Sequence, residues 1–140
     1  MNPNPVLLLQ FAGITHLGLI AAGMLMPRVV GLRMHIQTLP PFIRRLFWVY
    51  YTFIGICLIS FGLLSFFLAV PLAEGAPLSR AVCGFLALFW TVRFLAAMFV
   101  FDLRPYLTTL PRKLGYQATN VVFTLLPVIY LYTALRGGRG

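Results

Sequence analysis

Long apolar runs alternate with short polar or proline-containing segments along this chain. The four runs cover residues 5–26, 47–70, 81–101 and 117–135. A helix rises about 1.5 Å per residue, so about 20 residues cross the roughly 30 Å of hydrocarbon in a bilayer. Prolines stand at the boundaries, among them Pro27, Pro40 and Pro105, and a proline disfavours helix in the residue before it. The pattern predicts four separate membrane-spanning helices.

The composition indicates that these helices face lipid rather than water. Of the 140 residues, 61% are hydrophobic and only 9% are charged, and the mean hydropathy is +0.94. A water-soluble domain does not expose so much apolar surface. We therefore expect an all-α integral membrane protein, a four-helix transmembrane bundle with short loops, in which residues 1–140 form a single transmembrane domain.

The connection between the first two runs allows two interpretations. Residues 32–37 alternate apolar and polar side chains, as in a strand, whereas Val29, Leu32, Ile36 and Leu39 also fit one side of a helix. Both interpretations stay open from the sequence. In either case the apolar side chains predict that this segment lies against the membrane surface.

Small residues and one proline predict how the helices pack and bend. Gly13, His16 and Gly23 share much of one face of the first helix, and Gly55 and Gly62 are one heptad apart on the second. Pro127 is expected to kink the fourth helix, either for shape alone or as a functional hinge. Aromatic residues near the run ends, including Trp48 and Tyr130, are typical of interfacial anchors.

The chain carries a large excess of positive charge. Eleven Lys and Arg residues face two acidic residues, Glu74 and Asp102, which gives a net charge of +9. Nucleic-acid binding is not expected, because the chain has no soluble segment of basic residues interleaved with aromatic ones. The basic residues mostly flank apolar runs, so the expected partners are the lipid bilayer and its anionic head groups.

The basic residues also predict an orientation. Those in the first and third connections are Arg28, Arg33, Arg44, Arg45, Arg104, Arg112 and Lys113. Those on the opposite side are Arg80, Arg136 and Arg139. By the positive-inside rule, residues 27–46 and 102–116 are expected in the cytoplasm and both termini outside. The expected location is the cell membrane, as a multi-pass protein of the bacterial inner membrane.

Arg93 is the first candidate functional residue, because it is charged and lies within an apolar run. It is the thirteenth residue of the run 81–101, about 18 Å along a helix that begins with the run and therefore near the bilayer midplane. A charge there is costly, so it should face the bundle interior, a water pocket or a partner. Asp102 is a poor partner, because it falls on the opposite face of the same helix.

Neutral side chains are the remaining candidates for a polar layer around Arg93. His16 would lie at nearly the same depth on the first helix. The other members of the predicted layer are Asn120, Thr124, Tyr51 and Trp90. The layer is interpreted either as a structural hydrogen-bond cluster or as a binding site for a carboxylate, a phosphate or a quinone carbonyl. Trp90 either stacks on the guanidinium or fills the bundle.

Other site chemistry finds little support in the sequence. A bis-histidine haem would need both His16 and His35, and His35 falls in the first connection. A disulfide between Cys57 and Cys83 is not expected, because their expected depths differ by about 16 Å, and both are interpreted as small buried side chains. No metal-ligand cluster, phosphate-binding glycine loop or catalytic constellation is recognisable, so neither a metal nor a cofactor is expected.

These observations favour a non-enzymatic accessory or scaffold subunit of a membrane complex, as a homo-oligomer or with a partner subunit. The alternative is a small transporter or channel that binds an anionic or lipophilic ligand at His16 and Arg93. A haem- or quinone-linked electron-transfer protein is the third possibility. In size and helix number the chain resembles small four-helix bacterial membrane proteins such as the DoxX-like group, a resemblance of architecture that implies no residue roles.

Overall fold

The computed structural model describes residues 4–102 and 104–136. Arg139, which entered the prediction of orientation, lies outside the described residues. The helices are α1 (Pro5–Val29), α2 (Leu32–Gln37), α3 (Pro41–Phe67), α4 (Ala69–Ala73), α5 (Pro77–Phe99) and α6 (Leu110–Arg136), with a 3-10 turn at Arg104–Tyr106. Four of them, α1, α3, α5 and α6, are long and apolar enough to cross a membrane. The predicted all-α fold with four long apolar helices is confirmed.

Prolines start three of the long helices. Pro5, Pro41 and Pro77 each occupy the first helical turn, where the missing N–H costs nothing and the fixed φ favours helix. The side chain of Asn4 accepts a hydrogen bond of 3.0 Å from the Val6 N–H and so caps α1. Because of these starts, α3 and α5 begin before the apolar runs at 47 and 81.

The first connection contains a helix rather than a strand. Pro27 lies inside α1, which continues to Val29 instead of ending at the proline. Gly31 then adopts a left-handed conformation (φ 62°), which a glycine adopts at little cost, and turns the chain into α2. Ile36 on α2 is buried. The helical interpretation of this segment is therefore correct.

The second apolar run is broken near its end. The sequence predicts one span through residue 70, but α3 ends at Phe67 and α4 begins at Ala69. Pro71 explains the break, because its ring would clash with the carbonyl of Phe67 in a continuous helix. The connection from α3 to α5 is thus itself a short helix, and Glu74 follows it.

The long helices pack as two neighbouring pairs. α1 runs along α3 and α5 runs along α6, while α1 also contacts α6 and α4. The Phe61 ring on α3 packs edge-on against Phe85 and Phe89 on α5, at centroid distances of 6.1 and 5.1 Å. These contacts close the bundle around a core that includes Leu9, Ala12, Cys83, Leu86, Trp90, Leu126 and Tyr130.

Two glycines set the distance between α1 and α3. A Cβ atom on Gly13 would lie 2.8 Å from the carbonyl oxygen of Gly62, and one on Gly62 would lie 2.9 Å from the Cβ of His16. Such distances leave no room for a methyl group, so the close crossing depends on both glycines. Gly23 and Gly55, by contrast, have open space where a Cβ would stand.

Candidate functional site

His16 lies at the centre of the bundle and has no exposed surface. Its Nδ1 lies 2.6 Å from the carbonyl oxygen of Ala12, one turn earlier on α1. Because a carbonyl oxygen only accepts, Nδ1 carries the proton and donates this bond. In the neutral ring Nε2 then bears a lone pair, and this atom is buried without a partner among the described residues.

Trp90 packs directly against His16. The two ring centroids are 5.2 Å apart at an angle of 77°, and Trp90 also stacks on Phe123 at 5.9 Å. The indole N–H is buried and, within the part of the chain that the structure describes, has no acceptor. Adjacent rings therefore hold one unpaired donor and one unpaired acceptor, and because both residues are fully buried a polar molecule could reach them only if the surrounding helices open.

A second buried polar pair joins α3 to α6. The hydroxyl oxygens of Ser65 and Tyr130 are 2.5 Å apart, and both residues are fully buried. The Tyr130 ring lies 6.5 Å from that of His16. Tyr130 is therefore part of the core rather than the interfacial anchor that its position in the sequence predicts. Sequence reasoning missed this pair, since the only available signal was a serine within an apolar run.

Arg93 lies on the outer surface of the bundle. Its guanidinium carbon is 5.4 Å from the Phe101 ring centroid and 5.2 Å from that of Phe123. Within residues 4–102 and 104–136 it has no hydrogen bond or ion pair. α5 begins at Pro77, so Arg93 lies about 24 Å from the start of the helix and about 9 Å from its end. It is nearer one end of the helix than its position in the apolar run predicts.

The predicted polar layer is brought together only in part. His16 and Trp90 are in contact, and Phe123 contacts both Trp90 and Arg93, so two aromatic rings lie between the histidine and the arginine. The Thr124 hydroxyl donates to the carbonyl of Asn120 at 2.9 Å, within α6. The remaining member, Tyr51, donates its hydroxyl hydrogen to the Gly23 carbonyl and joins α3 to α1. Among the described contacts, none joins the guanidinium of Arg93 to another member of the predicted layer; its ring contacts are with Phe101 and Phe123.

Asp102, the acidic residue closest in sequence to Arg93, pairs with Arg104. Its two carboxylate oxygens accept hydrogen bonds of 3.0 and 3.2 Å from the Arg104 side chain, and both residues are exposed. These hydrogen bonds lower the pKa of Asp102 and raise the pKa of Arg104. The carboxylate is therefore ionised at neutral pH and engaged by a residue other than Arg93.

The two histidines occupy different environments. His16 is buried in α1, whereas His35 is exposed on α2, where its Nδ1 lies 3.1 Å from the Gly31 carbonyl oxygen. Among the described residues, no group of three or more His, Cys, Asp or Glu side chains is close enough to hold a metal ion. The described contacts bring no second histidine to His16.

No protein-family model, curated protein or solved structure matches this chain. The features described above that bear on its function are the buried pair of His16 and Trp90 and the exposed Arg93 within α5.

Proposed function

We propose that this chain is a non-enzymatic accessory or scaffold subunit of a membrane complex, and that Arg93 is the residue with which it recognises a partner within the bilayer. The observation that carries the proposal is the position of Arg93. It is charged, lies within a long apolar helix, is exposed on the bundle and has no hydrogen-bond acceptor among the described residues.

The energetics of such an arginine support a partner. An arginine within a membrane span costs from about 2.5 to well over 10 kcal/mol, depending on depth and reference scale. Cation–π contacts such as those with Phe101 and Phe123 return about 0.5 to 2 kcal/mol each. Aromatic rings do not satisfy the five N–H donors of a guanidinium. A carboxylate on a neighbouring subunit would accept two of those donors at once and neutralise the charge.

The acidic residues of the chain support a subunit rather than an enzyme. Glu74 and Asp102 are the only carboxylates in the sequence, and Asp102 is paired with Arg104. Few carboxylates are therefore available for general acid–base catalysis. An acidic partner for Arg93 must come from another molecule.

The test is co-purification from the native membrane in a mild detergent, followed by native mass spectrometry. We expect the wild-type protein to retain a defined membrane partner, Arg93→Gln to lose it, and Arg93→Lys to retain part of it because the charge remains. Arg104→Gln is the matched control, since it removes an arginine outside the long helices and should keep the partner. A folded Arg93→Gln protein that retains every partner would contradict the proposal.

A small transporter or channel is the second candidate, and one observation favours it. The unpaired Nε2 of His16 and N–H of Trp90 could bind a small carbonyl- or hydroxyl-bearing ligand in the bundle. Arg93 would not contribute, because Phe123 and Trp90 lie between it and His16. Ligand-dependent thermal stabilisation that disappears in His16→Leu would support this function, and its absence across lipophilic carbonyl compounds would count against it.

A further inference from the structure

A cavity of about 590 Å³ lies at the end of the bundle where α1 ends. Three consecutive elements form its walls: the last turns of α1, the turn into α2 with the start of that helix, and the first half of α3. The lining residues that matter here are Met24, Arg28, Arg33, Met34, Trp48 and Tyr51. The volume falls within the range of about 300 to 1,000 Å³ that is typical of small-ligand sites.

The cavity carries two unopposed positive charges. Arg28 and Arg33 both line it, both are exposed, and neither has a hydrogen bond or ion pair among the described residues. The acidic residues of the chain do not neutralise them. Glu74 follows α4, at the other end of α3, and Asp102 is bound to Arg104. Two arginines, each with five N–H donors on its guanidinium, therefore line one cavity, and this donor type suits phosphate oxygens.

The rest of the lining is aromatic or apolar. Trp48 and Tyr51 pack edge-on at 5.6 Å, and the Tyr51 hydroxyl is bound to the Gly23 carbonyl, which fixes this wall against α1. Met24 and Met34 expose 70% and 77% of their surface. A tryptophan beside arginines at the end of an apolar helix is typical of the bilayer interface. The cavity thus combines a cationic part with an apolar part.

We propose that this cavity binds the phosphate group of an anionic membrane lipid. Arg28 and Arg33 donate hydrogen bonds to the phosphate oxygens, and the methionines and Trp48 contact the beginning of the acyl chains. Free inorganic phosphate shares the recognised chemistry but would leave the apolar wall uncovered, which favours the lipid. The inference does not depend on Arg93, because that residue lies on α5 and does not line the cavity.

The test compares two double variants that lose the same charge. Arg28→Gln with Arg33→Gln removes both arginines of the cavity, whereas Arg44→Gln with Arg45→Gln removes two nearby arginines of α3 that do not line it. Each protein is placed in phosphatidylcholine nanodiscs with a minor share of phosphatidylglycerol, and retained lipid is counted by native mass spectrometry. We expect phosphatidylglycerol to bind the wild type and the control variant equally, and the cavity variant about tenfold more weakly or worse.

Three outcomes would overturn the proposal. Equal loss of phosphatidylglycerol in both double variants would mean that only general charge attraction holds the lipid. If the folded cavity variant retained as much phosphatidylglycerol as the wild type, the two arginines would not be the residues that bind the lipid. Displacement of the lipid by millimolar inorganic phosphate, or equal thermal stabilisation by phosphate alone, would show that the cavity takes free phosphate.

A measurement on the wild-type protein covers the case in which the cavity variant fails to fold. Trp48 lines the cavity and is 42% exposed, whereas Trp90, the other tryptophan, is 1% exposed. We expect a minor share of brominated phosphatidylglycerol to quench tryptophan emission more strongly than the same share of brominated phosphatidylcholine. Equal quenching by the two lipids would contradict preferential binding beside Trp48.

Discussion

Two pairs of polar side chains lie in the core of the bundle and differ in how their hydrogen bonds are satisfied. Ser65 and Tyr130 satisfy each other across α3 and α6. His16 and Trp90 are in ring contact but each keeps a buried, unpaired polar atom. The first pair has the chemistry of a structural link. The second pair has an unused donor and an unused acceptor but no accessible surface, so a ligand could bind there only if the helices open.

The link between Ser65 and Tyr130 should contribute measurably to stability. Tyr130→Phe keeps the ring in the core but leaves the Ser65 hydroxyl without its partner. We expect a loss of roughly 0.5 to 2 kcal/mol in the free energy of unfolding, the range for hydrogen bonds between membrane helices. Denaturation in mixed micelles, followed by circular dichroism, measures it.

The double variant Tyr130→Phe with Ser65→Ala serves as the control. It removes both partners, so its loss should be smaller than the sum of the two single losses. Strict additivity would mean that the two hydroxyls do not interact.

At the scale of the helices, the close crossing of α1 and α3 is the feature that most constrains the sequence. Gly13 and Gly62 bring the two backbones together, and His16 lies against Gly62 at this crossing. The position of His16 next to Trp90 and Tyr130 therefore depends on a glycine of α3. A change at Gly62 would disturb both the packing of the helices and the polar core.

Two glycines of α3 allow a matched comparison. Gly62→Ala would place a methyl group 2.9 Å from the Cβ of His16, so we expect a loss of about 1 to 3 kcal/mol in stability. Gly55→Ala, one heptad earlier, meets nothing within 4 Å and should be neutral or slightly stabilising, by up to about 1 kcal/mol. Thermal unfolding of both variants in detergent measures the difference. Equal stability of the two variants would show that α1 and α3 can move apart to accommodate the added methyl group.

The sequence predicts the long helices because their apolar runs are long, but it places their ends less well. Hydropathy reports where a helix is apolar enough for lipid, whereas Pro41 and Pro77 decide where α3 and α5 begin. Hydropathy is equally limited in placing the candidate site residues. The start of the run at 81 predicts Arg93 at the midplane, and a position near the end of a run predicts Tyr130 as an interfacial anchor. Its actual partner, Ser65, lies 65 residues away. Contacts between distant helices leave no mark in local periodicity.

At the scale of the whole molecule, the two ends of the bundle differ in charge. Most of the basic residues lie in or beside the connections from α1 to α3 and from α5 to α6 (Arg28, Arg33, Arg44, Arg45, Arg104, Arg112 and Lys113), and the proposed lipid site lies at that end. Glu74 lies at the opposite end, after α4. By the positive-inside rule we expect the basic end in the cytoplasm.

Cysteine labelling in intact cells tests this orientation. A membrane-impermeant maleimide should label Glu74→Cys and should not label His35→Cys until the cells are permeabilised, because both positions are exposed but lie at opposite ends. The wild-type protein is the control, since Cys57 and Cys83 lie within α3 and α5 and should stay unlabelled. The reverse pattern would invert the topology and place the lipid site in the outer leaflet.

The contact of α1 with α6 has a consequence for biosynthesis. α1 and α3 can pair as soon as both have left the ribosome, but Tyr130, the partner of Ser65 and a neighbour of His16, lies on the last long helix. Until α6 is inserted, His16 of α1 and Ser65 of α3 lack their contacts with Tyr130. During that time their side chains either face lipid or are bound by the insertion machinery. A chain truncated before α6 would therefore contain the other three long helices with Ser65 and His16 lacking their contacts with Tyr130, the kind of intermediate that proteases recognise and degrade.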